Sequence, residues 1–196
     1  MNIPDTIRAV QRALKLDPDG IAGPQTWAAI HRRIVGIAPL PSAGEVDARS
    51  ASVIATLLPE VRPYARALIH EAAAAEITLK VISGTRTYAE QDALYAQGRT
   101  APGPKVTNAR GGYSNHNHGI AFDVGVFSGD RYVPESSAYK AAGAIGRRLG
   151  LEWGGTWTSI VDEPHFQLRP TWAAGMSERD MLAELRARKS MGKPVF

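Results

Sequence analysis

The stretch "GGYSNHNHGIAFDVGV", Gly111–Val126, carries two of the chain's five histidines, four glycines and one aspartate in an apolar run. Strand alternation in "IAFDVGV" puts Ile120, Phe122 and Val124 on one face and Ala121, Asp123 and Gly125 on the other. The first face reads as core. A carboxylate among apolar neighbours needs a partner, either a metal or an arginine, and the small residues at 121 and 125 leave room for one to approach. His116 precedes Asp123 by an odd separation, which on a straight strand would set the two on opposite faces. Gly119 lies between them and can take a positive φ, so a bend there lets both side chains meet. His118 competes for the same role, because a His-x-His pair on a strand would show both rings on one side. Alternation does not fix the geometry of this loop, and both histidines stay open.

The matching half of a site lies about forty residues on, in "DEPHFQLR". His165 opens a short strand after Pro164. Asp162 and Glu163 stand just before it, where a carboxylate could take a proton from an attacking water. Taken alone, "DEPH" is an ordinary exposed turn.

The totals narrow the chemistry. At 196 residues the chain fits one domain with a small appendage. Its hydrophobic content of 44% and charged content of 21% are those of a globular protein. There are no cysteines, so disulfides and thiolate metal sites are excluded, and a metal must be held by His, Asp or Glu. A net charge of +4 favours polyanions, although the same charge also just aids solubility. No cluster of Lys and Arg with interleaved aromatics supports a nucleic-acid partner. No segment is apolar enough to span a bilayer, and "MNIPDTIRAV" lacks a basic start followed by an apolar run. The expectation is synthesis in a cytoplasm and release by other means.

Residues 1–35 form a helical unit. Ile7, Val10 and Leu14 have helical spacing, and Asp5 or Thr6 is the expected cap. "DPDG" is a turn. A second helix opens at Pro24 with Trp27, Ile30 and Ile34 on one face. Residues 36–49, rich in Pro, Gly and small side chains, read as a linker. Residues 50–196 read as one α+β domain. Its elements are a helix after Pro63, a strand in "TLKVISGTR", a helix in "YAEQDALYAQG" stopped by Gly98, and a long loop to Gly119. Then come the "IAFDVGVF" strand, a helix in "SSAYKAAGAIGRRLG", the "HFQLR" strand and a C-terminal helix capped by Ser177 with Asp180. Glu184 and Arg188 are spaced to pair on that last helix.

Together these motifs resemble a family. "SNHNHGIAFD" fits S-x-H-x-x-G-x-A-x-D, and "DEPHF" fits the acid-x-x-H element that follows it in the zinc D-Ala-D-Ala carboxypeptidase and hedgehog-like peptidases. With "SGTRTYAEQDALYAQGRT" and "LEWGG", the chain looks most like the L-alanyl-D-glutamate endopeptidases of phage endolysins and bacterial cell-wall hydrolases over about residues 77–168. The resemblance implies a small antiparallel sheet with flanking helices and one catalytic zinc. His116, Asp123 and His165 match its three ligands, which leaves a fourth position for water. Asp162 matches the general base, and Arg86 the group that steadies the carbonyl oxygen. Ser114, Gln91, Trp153 and Trp157 are placed around substrate, with Gln91 supporting and at least one tryptophan in the core. His118 falls at a variable position and becomes a pocket-wall residue or a support behind the ligands. "IRAVQRALKLDPDGIAGPQTWAAI" resembles the small helical peptidoglycan-binding domain. The implied protein is a monomeric, endolysin-like hydrolase of the peptidoglycan stem peptide, without nucleic-acid or membrane partners. The implied alternatives are a D,D-carboxypeptidase and a non-catalytic zinc module.

Overall fold

The computed structural model describes residues 2–14, 16–35, 44–158 and 160–196. Contacts divide the chain into two compact units, Met1–Pro39 and Leu40–Phe196.

In the first unit, α1 (Ile3–Ala13) and α2 (Pro24–Val35) flank the "DPDG" turn. The cap of α1 is Asn2, whose Oδ1 accepts from the Asp5 N–H at 2.9 Å, so the helix begins earlier than a cap at Asp5 or Thr6 would allow. Gln11 is buried at the centre. Its Nε2 donates to Asp19 Oδ1, the Ile21 carbonyl and Thr26 Oγ1, while its Oε1 accepts from the Gly20 N–H. The Gln, Asp-Gly-Ile and Thr of the sequence motif are thus one hydrogen-bonded knot that fastens the turn. The expected apolar face of α2 is not buried: Trp27 is 60% exposed and Ile34 is 77% exposed.

Residues 36–43 of the expected linker lie outside the described residues. Its end is not linker, because α3 (Ala48–Ala55) starts at residue 48 on an Asp47 cap. Next come α4 (Arg62–Ala74, with Pro63 in its first turn), β1 (Thr78–Ser83) and α5 (Tyr88–Ala96). A capping box between Thr87 and Glu90 opens α5. The long loop to Gly119 is not wholly irregular, for Asn115–His118 form a 3-10 turn. It is followed by β2 (Ala121–Ser128), β3 (Arg131–Tyr132), α6 (Ala138–Leu149), β4 (Glu152–Trp153), β5 (His165–Gln167) and α7 (Glu178–Ser190). Ser177 caps α7, and Glu184 meets Arg188 at 2.9 Å. Among the described residues no helix is long and apolar enough to cross a membrane.

The strands make one antiparallel sheet in the order β1-β2-β5-β4, with β3 paired to β2. β3 and β4, two residues each, are too short for any period to reveal. One sheet face, with Leu79, Val81, Phe122, Val124 and Phe166, packs on Leu68 of α4 and on Tyr139 and Ile145 of α6. Alternation then forces Asp123, His165 and Gln167 to the other face. There a second cluster, Ile120, Ala173, Met181, Leu182 and Leu185, seats α7.

Candidate active site

Register brings the site together. Asp123 stands opposite His165 across the β2–β5 pair and opposite Ser83 across the β1–β2 pair. The β1 register slips between Val81 and Ser83, a bulge of the kind that re-aims side chains beside sites. His116 arrives from the 3-10 turn. Gly119 ends that turn at φ +71°, which is the bend expected from the sequence. A 3-10 helix turns about 120° per residue, so His116 and His118 diverge where two strand residues would have agreed.

Three ligand atoms converge. His116 Nε2 lies 3.3 Å from His165 Nδ1, and each lies 3.2 Å from Asp123 Oδ1. The outer nitrogens are tied down. His116 Nδ1 is 2.8 Å from the Gly84 carbonyl and His165 Nε2 is 3.0 Å from Gln167 Oε1. Carbonyl oxygens only accept, so each outer nitrogen carries a proton, and in the metal-binding tautomer each inner nitrogen would present a lone pair. Zinc bonded to N and O at about 2.0–2.2 Å in a tetrahedron needs ligand edges of about 3.3–3.6 Å. The triangle fits one face of that tetrahedron and leaves one corner open. These three residues could hold one metal ion.

Asp123 has the arginine considered for it and could also hold the metal. Oδ1 faces the histidines, and Oδ2 accepts from Arg86 NH2 at 2.8 Å. Burial pushes the Asp123 carboxyl up, but His116 and His165 beside it pull harder, and it is held well below the usual carboxylate range. Arg86 also donates to Ser83 Oγ at 2.8 Å and to Gln91 Oε1 at 3.3 Å.

The triad opens into a cleft of ≈ 1630 Å³ whose walls include Arg86, Ser114, Trp157, Asp162, Glu152 and Arg169. Asp162 sits on a tight turn, with the His165 N–H donating to the Asp162 carbonyl at 3.1 Å. Burial raises its carboxyl above the ordinary value. Glu163 is not a lining residue, and its carbonyl instead accepts from Trp153 Nε1 at 2.7 Å. Gly154 makes this approach possible: a Cβ there would lie 2.4 Å from the Asp162 carbonyl oxygen.

Several expectations are corrected. Gln91 is fully buried and does not line the cleft. Its Nε2 donates to Thr107 Oγ1 and to the Ala109 carbonyl, so it ties the loop to Arg86 and does not meet substrate. Of the two places open to His118, it does not take the pocket wall. It packs edge-on to Tyr88 and reaches the Gly112 carbonyl at 3.3 Å, and burial lowers its pKa. Of the two tryptophans, Trp153 packs its ring into the core against Gly143 and Gly155, as expected of at least one of them, and still forms part of the cleft wall, while Trp157 stands 4.9 Å from the His165 ring. The small side chain at Gly125 makes room for Phe127 and Tyr132, not for a ligand of the site. Sequence reading also missed a polar network behind His165 that runs from buried Gln167 and Asn115 out to the half-exposed Glu152, Glu178 and Arg169. The signal was present in "HFQLR", where His165, Gln167 and Arg169 alternate with the apolar Phe166 and Leu168.

The chain is also similar to known proteins. A peptidase M15 family model, described as D-alanyl-D-alanine carboxypeptidase, matches residues 107–168, and a peptidoglycan binding domain model matches residues 4–30. The peptidoglycan L-alanyl-D-glutamate endopeptidase CwlK of Bacillus subtilis (strain 168) is 38% identical over 124 residues, 58% of this chain and 74% of that protein. The L-Ala D-Glu endopeptidase ChiX of Serratia marcescens shares the fold, with a TM-score of 0.50 and 23% identity over 65% of this chain and 91% of ChiX. The vancomycin resistance D,D-pentapeptidase VanY, solved in complex with Zn(II), aligns with a TM-score of 0.47 and 20% identity over 66% of this chain and 83% of VanY. With a triad built for one metal ion and a curated relative matched over most of its length, this chain belongs to the M15 peptidase family.

Proposed function

We propose that this protein is a zinc-dependent peptidoglycan endopeptidase that cuts the stem peptide between L-Ala and D-Glu. The observation that carries the chemistry is the near-equilateral triangle of His116 Nε2, Asp123 Oδ1 and His165 Nδ1, open on one side to the cleft. The choice of bond rests on the likeness to CwlK. When bound, zinc supplies a Lewis acid that polarises a carbonyl and makes water acidic enough to lose a proton near neutral pH.

The chain's own residues do the rest. Asp162, on the cleft wall, takes the proton from the attacking water and returns it to the leaving amine as the C–N bond breaks. Three of the five N–H groups of Arg86 are spent on Asp123, Ser83 and Gln91. Those bonds fix the guanidinium on the cleft wall, where its positive charge steadies the carbonyl oxygen as negative charge develops there. Trp157 covers His165 and offers an aromatic wall to the peptide. Ser114 lies along the same wall. The first unit holds the enzyme on the wall, acting as a monomer of endolysin type that lyses cells after release from a phage-bearing host.

Mass spectrometry of digested muropeptides tests this reading. New N-terminal D-Glu is expected, lost on chelation and restored by zinc. Release of free D-Ala instead would make the protein a D,D-carboxypeptidase, and no cleavage by the zinc-loaded protein would leave a binding module.

A further inference from the structure

We propose that Gln167 is the positioning residue of the metal centre, held by an Arg169–Glu152–Glu178 ion-pair network so that its side-chain carbonyl faces His165. The inference rests on the reading of His165 as a metal ligand.

His165 has an acceptor on each side. Nδ1 is 3.2 Å from Asp123 Oδ1, and Nε2 is 3.0 Å from Gln167 Oε1. If the ring's one proton sat on Nδ1, it would bond to Asp123 and block the position that must face the ion. An acceptor at Nε2 is what lets the proton reside on the outside. A glutamine offers that acceptor only if its amide is the right way round, because the flipped amide would set N–H against N–H.

The network decides the orientation. Gln167 Nε2 lies 2.6 Å from Glu152 Oε2 and 3.5 Å from both carboxylate oxygens of Glu178. Carboxylates only accept, so the NH₂ must point to them. Asn115 Nδ2 donates to Gln167 Oε1 at 2.5 Å from the other side, which confirms the carbonyl there. The two carboxylates are themselves pinned by one cation: Arg169 Nε meets Glu152 Oε1 at 2.5 Å and NH2 meets Glu178 Oε2 at 2.8 Å. A fixed charge at Arg169 therefore sets two carboxylates, they set one amide, and the amide sets one imidazole tautomer. Gln167 is fully buried. With its NH₂ and carbonyl both partnered, a flip would leave buried groups mismatched. Since Glu178 opens α7, the C-terminal helix also braces the ligand.

The test is nitrogen-15 NMR of the imidazoles combined with zinc affinity by chelator competition. In the wild type, His165 Nε2 is expected to carry a hydrogen-bonded, exchange-protected proton with and without zinc. An unprotonated Nε2 in either state overturns the proposal, whatever the variants do. Gln167→Leu is expected to lose that protection and to weaken zinc binding roughly 10–100-fold. Gln167→Glu keeps an acceptor for His165 while facing two carboxylates, so it should hold zinc within a few-fold of wild type but melt lower. A packing role alone would reverse that order of zinc affinities, and a folded Gln167→Leu with unchanged affinity and protection also overturns it. A wild type that binds no zinc would instead sink the reading of the site, with the Nε2 proton still deciding the role of Gln167.

Discussion

Arg86 grips Asp123 from behind: its NH2 lies 2.8 Å from Oδ2 while Oδ1, on the same carboxylate, faces His116 and His165 at 3.2 Å each. The arginine thus orients a ligand as well as facing the cleft. A lysine in its place keeps the charge but cannot bridge Asp123, Ser83 and Gln91 at once. Arg86→Lys should lower kcat/KM by roughly 10²-fold. The three ligand atoms are untouched, so metal analysis should still return about one zinc per chain. Full activity in the lysine variant would remove the guanidinium from the mechanism.

Asp162→Asn tests the base. Replacing the carboxylate with an amide should cost roughly 10²–10⁴-fold in kcat with zinc retained. Burial raises the Asp162 carboxyl above its unfolded value, so the ionised form carries a stability cost. That cost is full above the folded-state pKa and is relieved as pH falls through it. The metal-free Asn variant should therefore melt higher than metal-free wild type at neutral pH, and the gap should close on acidification. Melting curves of the two metal-free proteins as a function of pH check this.

How much of this was legible in the sequence depends on the reach of the signal. Gly119, His116, Asp123 and His165 were readable because a motif fixes their types and spacing. The distinction between His116 and His118 came from that motif and not from periodicity, since it lies in a 3-10 turn that strand alternation cannot foresee. Gln91 was misplaced because its partners, Arg86, Thr107 and Ala109, belong to a neighbouring turn and a loop that converge only in the fold. Which tryptophan packs in the core was not legible, because Gly143 and Gly155 make space for the Trp153 ring only in the fold. The Gln167 network spans β4, β5 and α7, and only the alternation in "HFQLR" hinted at it.

Gly154→Ala should disable the enzyme without touching any polar side chain. The added methyl would lie 2.4 Å from the Asp162 carbonyl oxygen and 3.1 Å from His165 Cβ, so the "DEPH" turn must move away. Displacing a base by about 1 Å can cost roughly 10²-fold, and overpacking a tight contact typically costs about 1–3 kcal/mol. The measurement is kcat and zinc affinity together with melting temperature. A wild-type rate would mean that the turn has slack and that Asp162 need not be held where it stands.

Gln11 separates attachment from chemistry. Its side chain joins Asp19, Gly20, Ile21 and Thr26, so Gln11→Ala removes the centre of the knot and leaves the half-buried Gly20 N–H without its partner. A loss of about 1–3 kcal/mol is expected for such a group, enough to loosen a unit of two short helices. Cosedimentation with purified cell walls should fall in step, while turnover of a short soluble stem peptide stays at the wild-type rate, because the triad lies wholly within Leu40–Phe196. Unchanged wall binding in a variant whose first unit has melted would show that the second unit finds the wall by itself. A matching loss on the soluble peptide would show that the catalytic unit depends on the first for more than attachment.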